Sequence, residues 1–306
     1  MKYGLHFRSW DGLYSEDRLL ECIDEAKAIG AQTFEVFPPD YVLKCETEKI
    51  KDLKKRIDQR NIDLLLTCKF DPSMDLASEN PETRQRGIEF LKQYIQGAAE
   101  LGAKAIGGIV YSVWPHMYGN DMIDKSIKRE RTMRSIESMR QIIPTAEACQ
   151  VTLNAEIVNR FEHYIMNTAA EGMEYCKAVG SERLNLLFDF FHANIEEDSI
   201  VEAIKCCKGK IGHVHVSEAN RRIPYNGSRM DWKAYGQALR DINYEGTVTL
   251  EPILLCLGKT SYNSRLFRDL IEDPSLESRL RLLKDGLTFI KNTFEGEGGT
   301  TGGLFV

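Results

Sequence analysis

The sequence predicts an α/β protein that folds as a single-domain (β/α)8 TIM barrel. Eight apolar segments of strand length alternate with segments of helical periodicity, a pattern that favours parallel strands joined by right-handed helical crossovers. Polar, ligand-type side chains also stand late in four consecutive strand segments, which is where barrels of this class carry their active sites. The length of 306 residues suits one barrel, because this class commonly exceeds about 200 residues without dividing into domains.

The predicted strands are short runs rich in β-branched and aromatic residues. In chain order they are Lys2–Phe7, Thr33–Phe37, Asp63–Lys69, Ala103–Tyr111, Thr152–Val158, Asn185–Phe191, Ile211–Val216 and Thr247–Ile253. The predicted helices carry apolar residues at helical spacing. They are Ser15–Ile29, Glu46–Arg60, Pro81–Leu101, Lys125–Cys149, Asn167–Val179, Ser199–Cys207, Asp231–Ile242 and Leu276–Thr293.

Glycines mark the ends of three of these helices. Gly30, Gly102 and Gly180 each follow the last apolar residue of a helix, where a left-handed residue closes the final turn. The same punctuation after three separate helices indicates a repeated βα unit and not two unlike domains. We therefore assign residues 1–294 to the barrel, and residues 295–306, which are rich in glycine, to a flexible tail.

Composition excludes several classes of function. The net charge of −6 gives no electrostatic reason to expect binding to nucleic acid. The chain begins without a basic segment followed by a long apolar one, and no stretch reaches membrane-spanning length, so we expect a cytoplasmic protein with no membrane partner. The eight cysteines lack the C-x-x-C spacing of a zinc or redox motif and are expected to be reduced.

Four side chains interrupt consecutive apolar segments near their C-terminal ends: Glu156, Asp189, His215 and Glu251. Taken singly, each has the alternative reading of a buried ion pair or a satisfied core polar residue. Four such side chains at equivalent positions of successive strands favour a shared metal site. Oxygen and nitrogen donors suit Mn²⁺, Mg²⁺ or Co²⁺ better than a thiolate-binding metal, and Zn²⁺ stays open. His213 lies one pleat deeper than His215 and is assigned a structural role.

Several motifs around these residues resemble those of a known family. They are EIVNRFE at Glu156–Glu162, DFFHANIEED at Asp189–Asp198, GHVH at Gly212–His215, NRR at Asn220–Arg222, and LRDINYEG at Leu239–Gly246 ahead of Glu251 and Pro252. Together they are similar to the ketose 3-epimerases of the D-tagatose/D-allulose type, members of the xylose isomerase-like barrel superfamily. The resemblance covers nearly the whole chain and is densest between Val151 and Pro252.

The resemblance implies a function and a set of site residues. Glu156, Asp189, His215 and Glu251 would hold one divalent metal ion, Mn²⁺ first, with Co²⁺ or Mg²⁺ as alternatives, and Glu156 and Glu251 would also be the acid/base pair. The predicted partner is a small sugar, a ketose of the D-allulose, D-fructose and D-tagatose class, inverted at C3. Members of this family are commonly homodimers or homotetramers. The implied contacts to the sugar are Glu162, His192, Arg221 and Trp114.

The residues themselves support that chemistry. Removal of the proton from a carbon beside a carbonyl requires stabilisation of the resulting enediolate, which a nearby divalent ion can supply. Inversion also requires one base on each face of the reacting carbon. Glu156 and Glu251 come from the fifth and eighth strands, with two strands between them, so they can flank a substrate.

Two strand ends depart from the family pattern. His6 ends the first strand where an aromatic residue is usual, and Cys68 and Lys69 end the third strand in place of a small, Gly-containing stretch. We expect all three to line the pocket for the far end of the sugar. Lys69 in such a pocket favours a substrate with an added polar or anionic group, or one of unusual length. The alternative is that Lys69 pairs with Glu35 or turns outward to water.

Other functions on the same scaffold remain as alternatives. An aldose–ketose isomerase would use the same enediolate chemistry. The catalytic subunit of a lyase that cleaves carbon–carbon-linked sugars also resembles these epimerases, and it would need a small partner chain. A multi-metal DNA endonuclease of the superfamily would require several more histidine ligands than six histidines supply in this pattern. A sugar-binding barrel without catalysis would have no need of two opposed bases.

Overall fold

The eight strands close into a parallel barrel. The computed structural model describes residues 1–10, 16–116, 118 and 122–296. Each strand pairs in parallel with its neighbours in sequence, and the eighth pairs with the first to close the barrel. The strands are β1 (Lys2–His6), β2 (Thr33–Val36), β3 (Asp63–Phe70), β4 (Ala105–Val113), β5 (Thr152–Ile157), β6 (Leu184–Asp189), β7 (Ile211–Val216) and β8 (Thr247–Leu250).

Helices surround the barrel and cover its outer face. Within the described ranges they are α1 (Glu16–Ala28), α2 (Asp40–Leu43), α3 (Thr47–Asp58), α4 (Pro81–Leu101), α5 (Lys125–Cys149), α6 (Ala169–Val179), α7 (Phe190–Glu196), α8 (Ile200–Cys206), α9 (Trp232–Asp241), α10 (Gly258–Asn263) and α11 (Leu276–Glu295). The predicted barrel is confirmed, and all eight predicted strands are present.

The fourth strand is shifted by two residues at both ends relative to the prediction, and β6 and β8 end two and three residues early. The prediction extended the sixth strand to Phe191, but β6 ends at Asp189 because this residue caps a helix. The Asp189 carboxylate accepts a hydrogen bond from the Phe191 backbone N–H at 2.8 Å, so Phe190 and the residues after it form α7. The prediction likewise extended the eighth strand beyond Leu250, and Glu251 instead lies in the loop that follows β8.

The glycine signals at the helix ends are confirmed. Gly102 and Gly180 adopt φ of 86° and 80° and close α4 and α6 with backbone hydrogen bonds. The predicted boundary of the tail was early, because α11 continues through Glu295 and ends at Gly296. Glu295 accepts a hydrogen bond from the Tyr3 hydroxyl at 2.6 Å, which ties the helix end to β1. The rest of the predicted tail, residues 297–306, lies outside the described residues.

Polar side chains meet inside the barrel. Glu35 on β2 bonds to His213 and His215 on β7, and because β2 and β7 are not neighbours in the sheet, this contact crosses the barrel interior. All three residues are buried. The barrel interior therefore contains buried polar groups that bond to one another.

The sequence predicted neither membrane-spanning helices nor disulfides. None of the described helices is long and apolar enough to cross a membrane. All eight cysteines are free, and Cys22, Cys68, Cys176 and Cys207 are buried.

Candidate active site

The four predicted ligand residues converge at the C-terminal ends of the strands. Glu156 comes from β5, Asp189 from β6 and His215 from β7, while Glu251 directly follows β8. One ligand atom from each of these four side chains lies within 4.8 Å of the others. Asp189, His215 and Glu251 are buried, and Glu156 is largely so. The parallel barrel brings them together because each one lies at or just beyond the C-terminal end of one of four neighbouring strands.

The Nδ1 atom of His215 faces the carboxylates. It lies 3.3 Å from Glu251 Oε2 and 3.9 Å from Glu156 Oε1. This nitrogen is buried and makes no hydrogen bond within the described part of the chain. A buried imidazole nitrogen without a hydrogen bond, aimed at three carboxylates, fits a divalent cation of the oxygen- and nitrogen-binding kind. The residues at this site therefore form a group that can hold a metal ion.

Glu35 holds His215 from the opposite side of the ring. Its Oε2 atom lies 2.8 Å from His215 Nε2 and 2.9 Å from His213 Nε2. With Nε2 held by this carboxylate, Nδ1 is the nitrogen that faces the cluster and becomes the ligand atom once it loses its proton. Glu35, His213 and His215 also lie close enough to hold a metal between them. In this structure, however, the Nε2 atoms of both histidines bond to the same oxygen, Glu35 Oε2. We therefore regard this trio as the support behind the main cluster, in keeping with the structural role predicted for His213.

Arg221 supplies a positive charge inside the cluster. Its Nη1 atom lies 2.8 Å from Asp189 Oδ2 and 2.8 Å from Glu251 Oε2. The residue is buried on the loop after β7, with a φ of 64° in the left-handed region. Its guanidinium also lies 3.9 Å from the centre of the Phe191 ring. Arg221 thus binds two of the predicted ligands directly, and it neutralises part of their charge.

The buried charges shift one another's pKa values. Burial alone would raise the pKa of Glu251, but Arg221 and His215 outweigh burial and hold this pKa well below its ordinary value. Burial alone would lower the pKa of His215, yet Glu35 and Glu251 raise it well above the ordinary value. Glu251 is therefore ionised at neutral pH. Because His215 must bind a metal through a deprotonated Nδ1, binding at this site would release a proton.

A second wall of the cavity carries three of the predicted sugar contacts. Glu162 accepts a hydrogen bond from the Trp114 indole N–H at 2.7 Å, which fixes both side chains. The backbone N–H of Asn159 donates to His192 Nδ1 at 3.1 Å. The other ring nitrogen, Nε2, is then the protonated one, and it lies 3.6 Å from Glu156 Oε1. Glu162, Trp114 and His192 all line the same cavity as Glu156 and Glu251.

The opposite wall is formed by the ends of β1, β2 and β3. Cys68 and Lys69 line the cavity there, as expected, together with Arg8 and Phe37. Burial raises the pKa of the Cys68 thiol, so this side chain is a neutral part of the wall. The Lys69 Nζ atom stands 5.0 Å from the centre of the Phe37 ring. Its suggested partner, Glu35, is buried instead among the histidines.

His6 lies beneath the cavity and not in its wall. It is buried, with Nε2 at 3.8 Å from Glu251 Oε1 and 4.0 Å from Glu35 Oε1. Burial lowers the pKa of His6 to about 3, so the ring is neutral. The position in the wall that we expected for His6 is taken by Arg8, two residues further along the chain.

Sequence reasoning missed Glu35 and Arg8. Glu35 sits in a strand whose four residues are all buried, so the criterion that selected Glu156, an acid within an apolar run, would also have found it. Arg8 lies in a short 3-10 turn after β1, where an arginine usually faces solvent, and its sequence position carries no comparable signal.

The chain is similar to known proteins over most of its length. A family model described as the xylose isomerase-like TIM barrel matches residues 23–261. The chain is 32% identical over 300 residues to the D-psicose 3-epimerase of Enterocloster bolteae, covering 96% of each protein. Its structure is similar to a D-psicose 3-epimerase crystallised in the presence of D-fructose, with a TM-score of 0.89 at 29% identity over 96% of this chain and 99% of that one.

A second solved structure has the same similarity. The D-psicose 3-epimerase from Clostridium cellulolyticum H10 with D-tagatose gives a TM-score of 0.89 at 31% identity, and the match covers 96% of this chain and 99% of that chain. The likeness therefore extends over nearly the whole chain.

Proposed function

Because the chain belongs to the xylose isomerase-like TIM barrel family, we propose that it is a metal-dependent ketose 3-epimerase, an isomerase that inverts C3 of a small ketose through an enediolate. The relatives that match over 96% of the chain carry this activity in their names. The observation that carries the proposal is the cluster of Glu156, Asp189, His215 and Glu251. Three of these residues, Glu156, His215 and Glu251, line one cavity, which supports the proposal of two bases beside a metal ion.

The cluster residues would hold the metal ion. Glu156, Asp189 and Glu251 offer carboxylate oxygens, and His215 offers Nδ1. We propose Mn²⁺, with Co²⁺ or Mg²⁺ as the alternatives, because the donors are oxygen and nitrogen without a thiolate. When bound, such an ion supplies positive charge beside the carbonyl and hydroxyl oxygens of the ketose, where the negative charge of the enediolate develops.

Glu156 and Glu251 are the proposed acid/base pair. They come from β5 and from the end of β8, so β6 and β7 separate them around the mouth. The residue that is ionised removes the C3 proton from its face, and the other residue, in its protonated carboxyl form, donates a proton to the opposite face, so one proton leaves C3 and one reaches it. The lowered pKa of Glu251 keeps this side chain ionised at neutral pH, which is the form that a base requires.

The surrounding residues orient the sugar in this proposal. Glu162, held by the Trp114 indole, accepts hydrogen bonds from sugar hydroxyls, and Trp114 offers an apolar ring face beside it. His192 donates from Nε2, since its Nδ1 accepts the Asn159 backbone N–H. Arg221 stands next to both Asp189 and Glu251 and can donate to an oxygen of the substrate as well. Assembly into a homodimer or homotetramer remains a prediction from the family.

Product analysis tests the proposed reaction. The Mn²⁺-loaded protein would be incubated with D-fructose, D-allulose, D-tagatose and L-ribulose, and the sugars would be separated by chromatography. A 3-epimerase yields the C3 epimer of the ketose, whereas an aldose–ketose isomerase yields an aldose. Formation of aldoses alone would replace the proposal with the isomerase alternative.

A further inference from the structure

The cavity has two chemically different sides. The predicted metal ligands and bases occupy the ends of β5 to β8. Two cationic side chains, Arg8 and Lys69, line the same cavity from the ends of β1 and β3. Phe37, the residue after β2, lines the cavity as well. Its ring is 5.4 Å from the ring of Phe7, the neighbour of Arg8, and 5.0 Å from Lys69 Nζ.

Arg8 is enclosed without a full set of hydrogen bonds. Its side chain is only 12% exposed. The Nε atom is buried and has no hydrogen-bond partner within the described ranges. The nearest carboxylate oxygen, Glu251 Oε1, lies 3.5 Å from Nε, and Glu251 is already bound by Arg221 at 2.8 Å. The Arg8 guanidinium also faces the Trp114 ring at 5.2 Å, so it reaches across the mouth of the cavity. An enclosed guanidinium of this kind is stabilised by an incoming anion.

Lys69 stands at an irregularity of the barrel. The pairing of β3 with β4 shifts between Cys68 and Phe70, and such bulges beside active sites redirect a side chain. Cys68 is buried in the wall, whereas the neighbouring Lys69 is exposed at the rim of the cavity. On the β4 side, Gly108 has a φ of 100°, and a side chain there would collide with the Cys68 carbonyl oxygen at 2.6 Å. The glycine therefore allows β4 to pack closely against the β3 backbone at the residue before Lys69.

We propose that the natural substrate is a ketose with an anionic group at the end remote from its carbonyl, and that Arg8 and Lys69 bind this group. The inference rests on the proposed function, since it takes the reacting carbons to lie at Glu156 and Glu251. The rest of the sugar must then extend across the mouth toward the ends of β1, β2 and β3. A terminal phosphate and a terminal carboxylate share the required chemistry, because a guanidinium and an ammonium bind both.

Matched substrates test the inference. For the Mn²⁺-loaded protein, kcat/KM for C3 epimerisation would be measured with D-fructose, D-fructose 6-phosphate and D-fructuronate. We expect at least one of the two anionic ketoses to exceed D-fructose by about tenfold or more, as a charge-assisted contact allows. Comparison of D-fructose 6-phosphate with D-fructuronate identifies which anion, phosphate or carboxylate, the site selects. If neither anion is preferred, the inference is wrong while the proposed function stands.

Variants test whether Arg8 and Lys69 are responsible for the expected preference for an anionic ketose. Arg8→Met and Lys69→Met should each lower the ratio of kcat/KM for the anionic ketose to that for D-fructose, mainly through KM, and Lys69→Arg should retain the ratio. Lys208→Met removes the same charge from the exposed turn after α8 and is the matched control. If Arg8 only positions Glu251, Arg8→Met will slow all ketoses equally, and its role in selecting the substrate will be disproved.

Ligands that bind but cannot react test the anion site independently of the proposed epimerase reaction. D-Glucitol 6-phosphate and D-glucitol have no carbonyl, so neither can be epimerised. Calorimetry should show that the Mn²⁺-loaded protein binds the phosphate more tightly than the neutral polyol, and the double variant Arg8→Met, Lys69→Met should lose this difference. Equal binding of the two polyols would overturn the inference even if ketoses are epimerised. A preference for the phosphate in a protein that epimerises no ketose would support the anion site and refute the proposed reaction.

Discussion

Glu35 Oε2 lies 2.8 Å from Nε2 of His215, on the side of the imidazole away from the ligand cluster. The contact joins β2 to β7 across the barrel interior, and it is reinforced by His213 at 2.9 Å from the same oxygen. A carboxylate behind a ligand histidine fixes the ring and directs the free nitrogen to the metal. The geometry of the proposed metal site therefore depends on a residue that contacts none of the other three ligands directly.

Glu35→Gln should weaken metal binding. The substitution keeps the shape of the side chain but removes the charge that holds His215, so we expect affinity for Mn²⁺ to fall by about 10- to 100-fold. Calorimetric titration of the metal-free protein with Mn²⁺ measures the change directly. Glu48→Gln, which removes a charge from an exposed position on α3, is the control. Unchanged affinity in Glu35→Gln would show that Glu35 has no part in the metal site.

Removal of the metal should lower thermal stability. Three carboxylates converge at this site, and the single charge of Arg221 is shared between two of them. With free Mn²⁺ at about a hundredfold above Kd, binding stabilises the fold by about 2.7 kcal/mol, and chelation with EDTA would remove that contribution. Melting curves with and without EDTA measure it. Asp189→Asn should show a smaller difference between the two curves, and full epimerase activity in metal-free protein would contradict the metal assignment.

Glu156→Gln and Glu251→Gln should each abolish epimerisation. A positioned acid/base contributes about 10²–10⁴-fold, and the loss of a metal ligand adds to that effect. Either variant can still exchange the C3 proton on the face served by the remaining glutamate. Chiral chromatography would measure epimerisation, and NMR in D₂O would measure exchange. Turnover at the wild-type rate in either variant would mean that a different residue is the base.

His163 should make the protein less stable as the pH falls. It is buried, and its Nδ1 accepts the backbone N–H groups of Tyr164 and Ile165 at 2.9 and 3.1 Å. Burial holds its pKa well below the ordinary value, so below about pH 6.5 the unfolded chain binds a proton that the folded protein does not. This contribution lowers stability by about 1.4 kcal/mol per pH unit below that point and is absent above it.

His163→Asn tests this pH dependence. The amide oxygen of asparagine can accept the same backbone N–H groups, but it does not titrate. Urea unfolding in the presence of EDTA would be measured at about pH 5.5 and about pH 7.5, on either side of the unfolded-state pKa. The variant should lose less stability than the wild type between these two values. An identical loss in both proteins would show that His163 is not the group responsible.

The sequence predicted the barrel and the ligand cluster for the same physical reason. Each strand is an apolar run, and a charged residue inside such a run is conspicuous because burial of a charge requires a partner. That criterion identified Glu156, Asp189 and Glu251, and it would have identified Glu35 had it been applied to β2. The helix α7 was missed because Phe190 and Phe191 continue the apolar pattern of β6, while the Asp189 cap ends the strand.

The far wall of the cavity could not be predicted in the same way. Arg8 belongs to a short turn after β1, and only the three-dimensional arrangement shows that it reaches Trp114 on the other side of the mouth. His6 was expected in that wall, but the side chain turns into the barrel, where it contacts Glu251 and Glu35. Side chains in loops and turns are set by contacts between distant segments, which no local pattern of residues records.

Deuterium incorporation at C3 is the decisive measurement of whether this protein removes and replaces the C3 proton of a ketose. The Mn²⁺-loaded protein would be incubated in D₂O with neutral ketoses and with their terminally phosphorylated and carboxylated forms, and the recovered sugars would be examined by NMR and mass spectrometry. We expect deuterium at C3 in both the recovered ketose and its C3 epimer, because Glu156 and Glu251 serve opposite faces of that carbon. Deuterium at C1 with formation of an aldose, or no exchange at C3 in any ketose, would contradict this expectation.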